Sequence, residues 1–174
     1  MGINLPAMFF PILTFPGVML HESAHAIFCK LFRLKIFRIS FFRFGTLSGF
    51  VEHEEPRSIS SAFGVSIGPL VINSIVAMFI AYWSTYYGVN SPWFYLLIWL
   101  AFSFGSQALP SDQDANNIVQ KNINLIRHKN VLYLITLPFY YLVWLSVWCS
   151  NKLKIVGFDM IYALLLIFAG LALK

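Results

Sequence analysis

Three residues within five positions carry the chemistry of this chain. His21, Glu22 and His25 form the motif His21-Glu22-Ser23-Ala24-His25, an HExxH pattern inside the apolar stretch from Gly17 to Cys29. On a helix, a spacing of four puts both imidazoles on one face, one turn apart, where two nitrogens can share a zinc ion. Glu22 stands beside that face, where a general base acting on a zinc-bound water belongs. Ionisable groups in a membrane helix cost on the order of 2.5 kcal/mol or more, so three so close together imply a purpose. The plainer alternative is a polar contact between two helices of a bundle.

The elements that must hold these residues are apolar. Of 174 residues, 59% are hydrophobic and 18% aromatic, while only 11% are charged, which is far from the balance of a soluble domain. Five segments approach the length that crosses a hydrocarbon layer of ~30 Å: 6–32, 62–87, 92–109, 131–149 and 155–173. The expectation is an all-α polytopic membrane protein with about five transmembrane helices and a membrane-associated β-hairpin between the first two. It reads as one domain over 1–174, with a catalytic core at 17–118 and accessory helices at 131–173. Pro11 and Pro16 delay the regular part of the first helix to near Gly17. The N-terminal run has no basic n-region and continues into the motif, so it reads as a retained helix. Cys29 and Cys149 fall in separate apolar segments without a CxxC spacing and predict no disulfide.

Loop charge orients such a chain. Lys30, Arg33, Lys35, Arg38, Arg43 and Arg57 follow the first segment, and none follows the second. Lys121, Arg127 and Lys129 follow the third, with Lys152 and Lys154 after the fourth. The alternation predicts an integral, multi-pass protein with its N-terminus outside, its C-terminus cytoplasmic and its active site near the cytoplasmic side. His25 would then lie ~7–13 Å below that interface. The formal charge of +5 sits between apolar runs, next to lipid headgroups, and is not a nucleic-acid signal.

Between the first two segments, Phe37, Ile39 and Phe41 alternate with Arg38 and Ser40, the period of a strand. Gly45-Thr46 offers a turn, and Leu47 to Val51 a return strand. The free edge of this hairpin either pairs with an extended peptide or merely covers the mouth of the bundle. His53, among Glu52, Glu54 and Glu55, reads as a solvated surface residue.

A catalytic zinc needs a third protein ligand. Cys29 lies about 12 Å along the helix from His21, too far to share one ion, and reads as a small buried thiol. Asp159 falls at the opposite membrane face in this topology. Asp112 and Asp114, in Pro110-Ser111-Asp112-Gln113-Asp114, lie on the correct side. Asp112 suits a helix cap just after Pro110-Ser111, and Asp114 is the preferred ligand. In the second segment, Gly64 and Gly68 make a small-xxx-small face. Asn73, one turn further in, either hydrogen-bonds a substrate carbonyl or oxyanion, or glues two helices together.

Taken in order, these features resemble the site-2 protease family of intramembrane zinc metalloproteases. The resemblance rests on the HESAH helix, the Ser48-Gly49-Phe50-Val51 strand, the Gly68-Pro69-Leu70…Asn73 segment and the Asp-bearing turn, and spans about 17–118. It implies that His21, His25 and Asp114 bind zinc and that Glu22 is the catalytic base, with Gly68 and Asn73 as candidate substrate-contacting residues. The chain departs from the family in two places. Pro110-Ser111-Asp112-Gln113-Asp114 stands where the family has an Asn-Pro…Leu-Asp-Gly motif, which leaves Asp112 and Asp114 both open. Gly68 to Asn73 is one residue longer than the common Gly-Pro-x-x-Asn spacing.

The expected function is zinc-dependent hydrolysis of peptide bonds in or near transmembrane segments of other proteins, with Glu22 as general base. The expected partners are a membrane-protein substrate and the lipid bilayer. Two other classes compete: a non-catalytic zinc-binding membrane protein, and a metal or proton transporter. Transporters often carry paired halves, and no internal repeat is present.

Overall fold

A computed structural model describes residues 10–43, 48–111, 114, 138, 141, 145 and 157–174. Helix α1 runs Phe15–Leu31, strands β1 and β2 run Ile36–Arg43 and Ser48–His53, and helices α2, α3 and α4 run Ile59–Ser84, Pro92–Ser106 and Phe158–Ala172. Apart from residues 138, 141 and 145, the fourth apolar segment lies outside the described residues, as do the turn at Gly45-Thr46, Cys149, and the charged residues Lys121 to Lys129 and Lys152 to Lys154.

Helix α1 begins after a turn at Thr14, with Pro16 in its first positions, where a missing N–H costs nothing. It ends in a left-handed residue, Arg33, at φ 57°. Arg33 N–H donates to the Lys30 carbonyl and Leu34 N–H to the Cys29 carbonyl, the paired bonds of a Schellman stop. Leu34 then packs on Cys29 and Val65 in a small apolar cluster with Phe28, Phe32 and Ile36.

The strands form where the alternation predicts them. They pair antiparallel, with Ile39 opposite Val51 and Ser40 opposite Phe50. Helix α2 opens on a capping box between Ser58 and Ser61 and carries Pro69 in its interior. Its Gly64 and Gly68 receive side chains, not a helix backbone: the rings of Phe32 and Phe28 lie where a Cβ would project. A second cluster, Ala81, Ala101 and Ile167 with Ile80, Ile98, Phe102 and Leu171, joins α2, α3 and α4.

The expectation of an all-α polytopic protein with about five transmembrane helices is corrected. The chain is mostly helical with a β-hairpin. Among the described residues one helix, Ser60–Ser84, is long and apolar enough to cross a bilayer. At 1.5 Å per residue the 17 residues of α1 and the 15 each of α3 and α4 reach only about 22–26 Å. A hydrocarbon core of ~30 Å needs about 20 residues. Residues 10–13 add a helical turn ahead of Thr14, and beyond α1 the chain stops at Arg33 and enters a strand. The orientation drawn from loop charge rests in part on residues outside those described.

Candidate metal centre

His21 and His25 stand one turn apart on α1, and the chain returns Asp114 to them from beyond α3. The two Nε2 atoms are 3.1 Å apart. Asp114 Oδ1 is 3.3 Å from His25 Nε2, and Oδ2 is 3.8 Å from His21 Nε2. His25 and Asp114 are buried and His21 is half-buried.

Backbone carbonyls aim both rings. His21 Nδ1 lies 2.7 Å from the Gln107 carbonyl oxygen, and His25 Nδ1 lies 2.9 Å from that of Val65. A carbonyl only accepts, so each Nδ1 carries a hydrogen, and in the neutral ring each Nε2 presents a lone pair. Two lone pairs and a carboxylate therefore converge on one small volume, an arrangement that calls for a cation. Two ligands at about 2.0–2.1 Å from a tetrahedral ion lie about 3.3 Å apart, close to the 3.1 and 3.3 Å here. The residues fit a divalent metal, and all three donor atoms lie within 4.8 Å of one another.

Asp114 is fixed locally. Ser111 donates to Asp114 Oδ2 through N–H at 2.9 Å and Oγ–H at 2.6 Å, and Asp114 N–H returns a bond of 3.3 Å to Ser111 Oγ. This is the reciprocal pattern of a capping box, and it turns Oδ1 toward His25. A carboxylate binds a metal as the anion, the ordinary form of an aspartate at neutral pH. Asp112 lies outside the described residues.

Glu22 is buried beside the ligands and within electrostatic reach of all three. Strand β2 lies directly on it. A Cβ at Gly49 would collide with Glu22 Cγ, and would come within 2.9 Å of Glu22 Cδ and 2.8 Å of the Phe41 carbonyl. No side chain larger than hydrogen fits between the hairpin and this carboxylate.

No family model, curated protein or solved structure matches the chain.

The remaining sequence candidates fall elsewhere. Gly68 packs on the Phe28 ring. Asn73 is fully buried, with Nδ2 3.1 Å from the Gln107 carbonyl and 3.3 Å from those of Gly17 and Phe104. His53 pairs across the hairpin with Ile36, and its Nδ1 donates to the Glu54 carbonyl. Cys29 is buried in the apolar cluster, and Asp159 sits in the first turn of α4. Sequence reasoning missed Ser111, although Ser111-x-x-Asp114 is a capping signature. It also missed Gln107 and Val65, which act through backbone atoms that any residue possesses.

Proposed function

We propose that this chain is a membrane-embedded zinc metallopeptidase of the site-2 protease type, hydrolysing peptide bonds in or near membrane segments of other proteins. The observation that carries the reading is the convergence of His21, His25 and Asp114 with a buried glutamate, Glu22, adjoining them. Two imidazoles and one carboxylate are a donor set of catalytic zinc, which leaves a fourth position open. The ion would supply Lewis acidity, acidifying a water and polarising a carbonyl.

The chain's own residues do the rest. His21, His25 and Asp114 hold the ion, and Glu22 accepts a proton from the attacking water and delivers it to the departing amine. A substrate helix hides its amides in internal hydrogen bonds and must unwind before attack. The hairpin edge at Ile36–Arg43 and Ser48–His53 offers backbone groups to replace those bonds.

A membrane setting is supported by how the molecule is packed. The fully buried side chains are small or polar: Asn73, Thr14, Pro69, Cys29, Ser66, Ser84 and Ser103. Large apolar residues face outward, with Val71, Ile75, Phe79 and Trp83 forming one ridge on α2 and Leu164, Leu165 and Phe168 lying on α4. In water this would leave an extensive apolar surface uncovered, whereas helices in lipid pack through small residues. Only 39% of the most apolar window of α2 is buried, unlike the core helix of a soluble protein.

The direct test is metal removal. The purified chain, reconstituted in vesicles with a fluorogenic membrane-segment peptide, is expected to lose cleavage with a zinc chelator and regain it on zinc addition. Cleavage that survives complete stripping, confirmed by metal analysis, overturns the reading. A second expectation follows from Gly49. A Gly49→Ala substitution pushes Glu22 aside while leaving the ligands in place, so kcat is expected to fall about 10²-fold with zinc content unchanged. Unaltered kcat would show that β2 does not hold the base.

A further inference from the structure

We propose that helix α2 aims both metal-binding imidazoles, Pro69 by leaving the Val65 carbonyl without its helical donor and Asn73 by fixing the Gln107 carbonyl. The proposal rests on the metal reading above and assigns Pro69 and Asn73 as positioning residues.

In a helix the carbonyl of residue i accepts from the N–H of residue i+4. The residue four beyond Val65 is Pro69, which has no N–H and whose ring crowds that carbonyl. Pro69 lies inside a helix of 26 residues and is fully buried, so water does not serve the released acceptor in its place. The acceptor is met instead from another helix: His25 Nδ1 donates to Val65 O at 2.9 Å. The proline thus exposes one carbonyl at the level of one ligand, and that bond sets both the tautomer and the tilt of the ring.

Asn73 is one helical turn further along α2. Its Nδ2 meets two carbonyls at the end of α3, that of Phe104, which also accepts from Gln107 N–H, and that of Gln107, beyond the last helical turn. Gln107 O also accepts from His21 Nδ1 at 2.7 Å. One carbonyl is therefore held by a donor from α2 while it holds the ring on α1. Gln107 is anchored from its other end, since its Nε2 donates to Thr14 Oγ1 at 2.9 Å. Among the described residues Asn73 Oδ1 has no donor. A buried amide with an idle acceptor costs free energy, which singles out its N–H groups as the reason for an asparagine there.

The two residues make separable predictions. Pro69→Ala restores the N–H that draws Val65 O back into its own helix. Zinc affinity, measured on the detergent-purified chain by competition with a chelating indicator, is expected to fall about 10-fold. Thermal stability of the metal-free protein is expected to hold or rise, since alanine suits a helix interior far better than proline. Asn73→Ser removes the donor to Gln107 while its hydroxyl bonds within its own helix. It is expected to weaken zinc binding 10- to 100-fold and to shift the visible absorption of the cobalt-substituted protein. Ser103→Ala loses another tie between α1 and α3, the 2.9 Å bond from Gly17 N–H, and is expected to leave the cobalt spectrum unchanged. Wild-type zinc affinity and cobalt spectra in both Pro69→Ala and Asn73→Ser overturn the orienting role alone. A Pro69→Ala protein that loses affinity only in proportion to lost stability overturns it too. A wild-type chain that binds neither zinc nor cobalt removes the metal reading, and this proposal with it.

Discussion

Glu22→Gln is expected to abolish peptide cleavage and leave the zinc in place. Glutamine matches glutamate in size, so it fits under β2 against Gly49 as the native side chain does. What it lacks is basicity. A positioned general base contributes typically 10²–10⁴-fold, and here the same group carries the proton onward to the leaving amine. The three donors at the ion, His21, His25 and Asp114, are untouched. Single-turnover cleavage measured beside metal analysis of the same preparation separates the two effects. Full activity in the variant would refute the role of Glu22. Loss of both zinc and activity would instead make Glu22 part of the metal's own support.

The second large effect belongs to Asp114. An alanine there removes the only carboxylate in the group and leaves two imidazoles, 3.1 Å apart, to hold a divalent ion unaided. Loss of a mere supporting partner costs a metal site 10- to 100-fold in affinity, so loss of a ligand is expected to cost at least that. Asp114→Ala is expected to purify without zinc and without activity, whereas Asp112→Ala retains both. Emission spectrometry on the two proteins decides between the carboxylates. Zinc retained by Asp114→Ala and lost by Asp112→Ala would reverse the assignment.

The parts of this site that could be read from the chain are those whose signals are local. An i, i+4 pair of histidines announces a shared face wherever it lies in a helix. The alternation from Phe37 to Phe41 announces a strand in the same way. Asp114 was within reach because it follows the third apolar segment, at the end predicted to lie level with the two histidines. Counting apolar runs failed for the opposite reason. Hydropathy does not register where a helix stops: in the first span, 6–32, the regular helix is Phe15–Leu31, and in the third, 92–109, it ends at Ser106. Gly49 and Glu22 are 27 positions apart, and neither residue type points to the other. The carbonyls of Gln107 and Val65 carry no sequence signature at all. Only Pro69 leaves a clue, since a proline inside a helix tells which carbonyl, four residues back, has lost its donor.

The stop at Arg33 also has a mechanical meaning. The bonds from Arg33 and Leu34 back into α1, and the 2.7 Å bond from Glu54 N–H to the Lys35 carbonyl, leave no slack between the helix and the hairpin. With Leu34 sunk into the cluster around Cys29, the two elements are joined at a packed corner. If the chain works as proposed, a load taken up along the strands would pass to the turn of α1 that bears His25, so that grasping a peptide would also tension the ion's cage.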